Sequence, residues 1–153
     1  MAEVKMMAFL LAALALVACG DDGATESEGD TSAVVSEVFG QDNERGYSFA
    51  ATYGDLVWTA GHLPETASPG DSIELQTKAV MDDLEATLEE AGAGFDTVVM
   101  TNVYLADFDD WPRFNETYTR YFEGRLPPRV TVEVSSLAFG RIEISMVAHV
   151  RDA

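Results

Sequence analysis

Apolar and polar positions repeat along most of this chain with periods that separate strands from helices. Tyr47 to Thr52 and Val57 to Ala60 are short runs of aromatic, β-branched and small residues, with the turn signal Gly54-Asp55 between them. They predict two strands joined by a tight turn. A loop with Pro64, Pro69 and Gly70 follows. From Asp71, an expected N-cap with Glu74 three residues on, Ile73, Thr77, Val80, Leu84, Leu88 and Ala91 recur at helical spacing until Gly92. The other face, with Asp82, Asp83, Glu85, Glu89 and Glu90, reads as solvated. Thr97 to Leu105 predicts a third strand. Asp109-Asp110-Trp111-Pro112 then opens a second helix whose apolar stripe is Trp111, Phe114, Tyr118 and Tyr121/Phe122. Two strands close the chain, Arg129 to Val134 and Arg141 to Val150, around a turn at Ala138-Phe139-Gly140. The order β-β-α-β-α-β-β predicts an α+β sandwich, with two helices on one face of a mixed sheet.

Period two sorts the last strands into faces. Val130, Val132 and Val134 alternate with Arg129, Thr131 and Glu133; Ile142, Ile144, Met146, Ala148 and Val150 alternate with Glu143, Ser145, Val147 and His149. The aliphatic sets are expected under the helices, and Arg129 and Glu143 together on the opposite face. That second face also holds Val147, and contact between subunits is the simplest way to cover it.

The first residues follow another pattern. Lys5 precedes an apolar run from Met6 to Ala18, shorter than the roughly 20 residues that span a bilayer. This is the pattern of a secretory signal. It ends in Leu16-Val17-Ala18-Cys19-Gly20, which resembles the lipobox of bacterial lipoproteins. The expectation is a signal peptide over 1–18, lipidation of Cys19 and an exported, membrane-anchored protein in the periplasm or on the cell surface. Residues 19–44 read as an acidic flexible tether, because Gly20 to Asp30 holds no apolar residue larger than Ala. Val34, Val35, Val38 and Phe39 interrupt it, and docking of that patch on the domain stays open. The domain is assigned to 45–153.

Charge and cysteine content narrow the function classes. The net charge is −18 and is unchanged by removal of residues 1–18; Lys78 is then the only lysine left. Such a surface repels phosphate backbones, so the usual electrostatic footprint of nucleic-acid binding is missing. Cys19 is the only cysteine. It leaves no intramolecular disulfide and no Cys cluster for zinc, and once acylated it leaves no thiol for catalysis.

Candidate chemistry gathers near the end of the chain. Arg129 follows Pro127-Pro128, which fixes the backbone before the strand. Its planar fork suits a carboxylate ligand or, equally, a structural ion pair with Glu133 or Glu143. Glu143 reads as a general base or as the partner of that Arg. His62 and His149 have no carboxylate partner readable in sequence and are expected to be surface or interface histidines. Capping, surface and ligand roles are all open for Asn115.

Several segments together resemble one family. Gly46-Tyr47-Ser48, Asp55 to Pro64, Asn115-Glu116-Thr117-Tyr118, Pro128 to Val134 and Ile142-Glu143-Ile144 are similar, in order and spacing, to the signature of the reactive-intermediate deaminases, the Rid or YjgF-like proteins. The resemblance runs from Tyr47 to Val150, and the stretch Pro127 to Val134 is its most specific piece. It implies a chorismate-mutase-like α+β domain, a homotrimer with clefts between subunits, and neither metal nor organic cofactor. It also implies that Arg129 holds a substrate carboxylate and that Glu143 is associated with the water attacking a C=N carbon. Tyr47, Gly61, Asn115 and Thr131 are implied to line the cleft. The best-known deaminases have Ser where this chain has Ala60 and Gln where it has His62.

The functional expectation is hydrolysis of reactive 2-imino or enamine acids to 2-keto acids and ammonia. Its counterpart from another class is a non-catalytic trimeric binder of small extracytoplasmic carboxylates. Either partner is a small-molecule carboxylate, with no nucleic acid and no membrane contact except through the lipid on Cys19.

Overall fold

A computed structural model describes residues 37–151 of the chain. The expected signal segment, Cys19 with its lipid, and the tether up to residue 36 lie outside the described residues. No helix among the described residues is long and apolar enough to cross a membrane.

Six strands form one sheet: β1 (Val38–Asp42), β2 (Tyr47–Tyr53), β3 (Leu56–Thr59), β4 (Val98–Leu105), β5 (Arg129–Glu133) and β6 (Ile142–His149), in spatial order β1-β2-β3-β6-β4-β5. All neighbours are antiparallel except β4 and β5. Helices α1 (Ile73–Glu90) and α2 (Trp111–Thr119) complete the α+β fold that the residue pattern predicts.

The first strand is an addition to that prediction. Val38 to Asp42 falls inside the stretch read as tether, yet it pairs with β2, Phe39 opposite Ala50 and Gln41 opposite Ser48. Phe39 packs against the core and Val38 stays exposed. Half of the apolar patch is therefore sheet, and the folded unit extends to at least residue 38 rather than 45.

Helix α1 forms where the apolar spacing demands. Its N-cap is Ser72, whose hydroxyl accepts from the Leu75 amide at 3.4 Å; Asp71, the expected cap, instead accepts from the Ser68 amide at 2.8 Å. The helix ends at Gly92, whose φ of +75° suits the residue without a β-carbon. The Gly92 amide donates to Glu89 and the Ala93 amide to Leu88, which satisfies two terminal carbonyls.

Val80, Leu84 and Leu88 of α1 pack with Ile142, Ile144 and Met146 of β6 in one fully buried cluster that also holds Phe114 and Tyr118 of α2. Each large aliphatic side chain so buried contributes about 1.5–3 kcal/mol relative to exposure. The opposite face of the sheet carries Trp58, Tyr104, Val130, Val132 and Val147. Trp58 is 41% exposed and Val130 48%, a broad apolar surface beside the buried one.

Candidate active site

The two residues expected to act together leave the sheet on opposite sides. Glu143 pairs with Tyr104, and Tyr104 with Val132, so these three share the open face. Arg129 pairs with buried Thr101 and therefore stands on the helix-covered face. The expectation that Arg129 and Glu143 share one face is corrected here, as is the placement of Val130 and Val132 under the helices. The physical reason lies in α2. Phe114 and Tyr118 form an aromatic shelf beside the edge strand, and the Arg129 guanidinium rests over it, 5.2 and 4.7 Å from the ring centroids. A cation over aromatic faces is favourable there, whereas two small valines lose little on the open side.

The shelf itself is fixed. The Tyr118 hydroxyl and Thr101 Oγ1 are 3.1 Å apart inside the core. Burial raises the Tyr118 hydroxyl above its ordinary pKa, opposed by the bond to Thr101 and by the nearby Arg129 charge. Arg129 Nη2 donates to Asn115 Oδ1 at 2.8 Å, which resolves the open role of Asn115: it holds the guanidinium. Among the described residues Arg129 makes no ion pair, so its pairing with Glu133 or Glu143 does not occur within the chain. Glu133 instead accepts from the Phe108 amide at 3.0 Å. Thr131 lies two residues along β5 on the same face as Arg129, opposite Val103.

Glu143 occupies different surroundings. Its carboxylate lies against the backbone of Gly61, so closely that a β-carbon at Gly61 would collide with it. Gly61, Tyr104, Ser145, Glu143 and the loop Val134 to Leu137 line a cavity of about 360 Å³ on the open face.

Gly61 also lines a second, smaller cavity of about 110 Å³ with Tyr47, Phe49, His62 and Asp83. Here the sequence reading of His62 fails. The ring is buried, and its Nδ1 sits 2.6 Å from Asp83 Oδ2. Asp83 belongs to the α1 face read as solvated; the loop after β3 folds onto that helix and brings the two together. An isolated bridge between His62 and Ile144, with backbone bonds of 2.8 and 3.1 Å, pins the loop to β6. His149 is exposed, with Nδ1 2.6 Å from the neighbouring Val150 carbonyl, as a surface histidine should be.

The sequence-predicted residues thus form two groups within one chain. Arg129, Asn115 and Thr131 gather at β5 and α2. Tyr47, Gly61 and Glu143 gather around the loop after β3, and neither cavity lined by Gly61 includes Arg129.

Residues 41–150 match the family model described as Endoribonuclease L-PSP. The chain belongs to the Rid/YjgF family. Relatives in this Rid/YjgF group include a RutC family protein of Saccharolobus solfataricus, 43% identical over 107 residues, which are 67% of this chain and 85% of the relative. The 2-iminobutanoate/2-iminopropanoate deaminase of Rattus norvegicus is 35% identical over 107 residues, 67% of this chain and 78% of that protein. The crystal structure of NMB1025, a YjgF family member from Neisseria meningitidis, superposes with a TM-score of 0.71 at 29% identity, covering 78% of this chain and 98% of its own. Apart from β1, the element order of this Rid/YjgF chain is the one its residue pattern predicts.

Proposed function

We propose that this protein hydrolyses small 2-imino or enamine acids to 2-keto acids and ammonia, in a cleft completed by a second copy of the chain. The carrying observation is Arg129: a guanidinium oriented by Asn115 and two aromatic rings, with no ion pair to a carboxylate among the described residues. A fork so held is prepared for an external carboxylate, and each charge-assisted bond contributes about 1.5–3 kcal/mol. Glu143 supplies the second function. In this reading it orients or deprotonates the water that attacks the C=N carbon, the amine leaving as ammonia.

Because Arg129 and Glu143 leave one sheet on opposite faces, the site needs the Arg129 edge of one subunit against the Glu143 face of another. The apolar open face around Trp58, Val130 and Val147 supports such an assembly, a homotrimer in this reading. A family relative named as an imine deaminase supports the reaction class. The family model's description names an endoribonuclease, but a net charge of −18 argues against holding a phosphate backbone. Ammonia release from an imine generated in situ tests the reading. Carboxylate binding that depends on Arg129, with no ammonia formed, would favour the non-catalytic binder. We further propose export and lipid anchoring through Cys19, on the sequence Leu16-Val17-Ala18-Cys19.

A further inference from the structure

The dipeptide Gly61-His62 grips β6 at two adjacent points. The Gly61 backbone lies against the Glu143 carboxylate, and the His62 amide and carbonyl both bond to the next residue, Ile144, at 2.8 and 3.1 Å. Partners in an antiparallel bridge share a face, so His62 follows buried Ile144 to the helix side. Gly61 stays on the open side with Glu143. Whatever fixes the His62 ring therefore also fixes where the Gly61 backbone meets the carboxylate.

Two contacts fix that ring. Its centroid lies 5.8 Å from that of Phe49, and its Nδ1 is 2.6 Å from Asp83 Oδ2 on α1. An ionised carboxylate only accepts, so Nδ1 carries the hydrogen and donates it. The other nitrogen, Nε2, is buried without a hydrogen-bond partner among the described residues. An orphaned polar atom disfavours folding, so an apolar ring of similar size would serve stability better at this position. What an apolar ring lacks is the directional bond to α1. Asp83 in turn has little packing of its own, since its side chain is 57% exposed. The bond is what this pair of residues adds to the loop, and its effect falls on the peptide beside Glu143.

We propose that Asp83 is a positioning residue for Glu143, acting through the His62 ring to set the Gly61 backbone against the carboxylate. Its effect on turnover rests on the reading of Glu143 as the group that prepares the attacking water; its effect on the Glu143 carboxylate does not. Two variants of the full chain separate the bond from the charge. Asp83→Asn and Asp83→Ala each remove one negative charge, but only Asp83→Asn keeps an oxygen that accepts from Nδ1. The site is an exposed position inside α1, where alanine is a good helix former, so both are expected to fold.

The first readout is the Glu143 carboxyl resonance in protein labelled with ¹³C at the glutamate side-chain carboxyl, assigned by its loss in Glu143→Gln. It is expected to move in Asp83→Ala and to stay near its wild-type position in Asp83→Asn, with the Glu133 resonance unmoved in both. The second readout is ammonia release from an imine generated in situ. Asp83→Ala should lose about tenfold in kcat with KM within about twofold, because the Arg129 clamp is untouched, and Asp83→Asn should retain most of the wild-type rate. A Glu143 resonance that stays in place in Asp83→Ala, or moves equally in Asp83→Asn, would overturn the proposal. So would a normal kcat in Asp83→Ala or an equal loss in both variants. A wild type that releases no ammonia counts against the deaminase reading instead, and the resonance then decides alone.

Discussion

Arg129 Nη2 lies 2.8 Å from Asn115 Oδ1, and that bond joins the first residue of an edge strand to the middle of the short helix beside it. It holds the guanidinium plane over Phe114 and Tyr118, so the fork is oriented before any ligand arrives. Preorganisation of this kind makes shape matter as well as charge. Arg129→Lys keeps the charge but loses the fork, and is expected to lose nearly as much activity as Arg129→Ala. Arg129→Ala should also cost about 1–2 kcal/mol of stability from the lost stacking and hydrogen bond. Activity and melting temperature measured together on both variants check this. Wild-type turnover in a folded Arg129→Ala protein would remove the clamp.

Gly61 is expected to be intolerant for a chemical rather than a structural reason. A β-carbon there must displace the Glu143 carboxylate, the movable end of a side chain. Gly61→Ala should therefore cost only about 1 kcal/mol of stability while lowering turnover about as far as Glu143→Gln does. Parallel melts and rate measurements on the two variants decide the matter, and a Gly61→Ala enzyme with normal turnover would contradict it.

The apolar open face predicts self-association. Light scattering of a chain beginning before Val38, so that β1 is retained, should give close to three times the monomer mass. Val147→Asp should dissociate or unfold the assembly, because it puts an unpaired charge into a buried contact. A wild-type monomer at micromolar concentration would exclude a cleft between subunits.

Acid sensitivity has an identifiable contributor. The bond from Arg151 holds the Asp96 carboxyl below the usual carboxylate range, opposed by slight desolvation. A carboxyl with a lowered pKa in the folded state adds stability above its unfolded value of about 3.9, and that contribution disappears as pH falls through the folded pKa. Both partners are well exposed, so the pair is worth about 0.5 kcal/mol. Melting temperature against pH should fall less steeply below about pH 4 in Asp96→Asn than in wild type. Identical slopes would show that the pair contributes nothing.

Cys19→Ser is expected to abolish incorporation of a labelled fatty acid and to release the protein from the membrane fraction. Label retained in the variant would refute lipid anchoring.

What the sequence disclosed and what it hid follow from the range of the interactions concerned. The helix from Ile73 to Glu90 was legible because one face repeats Val80, Leu84 and Leu88, and β6 because Ile142, Ile144, Met146 and Ala148 alternate strictly. Strand β1 was not legible: Gly40, Gln41 and Asp42 look like the acidic segment before them, and only pairing with β2 makes them sheet. The face of Arg129 was ambiguous for another reason. On an edge strand of alternating Val and polar residues, either set can turn inward, and the aromatic shelf of α2 decides. His62 and Asp83 are 21 positions apart, with no local pattern linking them, so their pairing needed the packed loop. Buried Gln76 is similar: its amide donates to the Pro69 and Asp71 carbonyls, and its oxygen accepts from the Arg141 amide at 2.8 Å.

The most direct test uses the opposite facing of Arg129 and Glu143. Arg129→Ala and Glu143→Ala chains, each inactive alone, are co-expressed in equal amounts, and ammonia release is measured on an imine generated in situ. If the site joins Arg129 of one subunit to Glu143 of the next, random mixed trimers contain intact sites and should regain about a quarter of wild-type activity. Mixed trimers as inactive as their parents, beside an active wild type, would contradict a site shared between subunits.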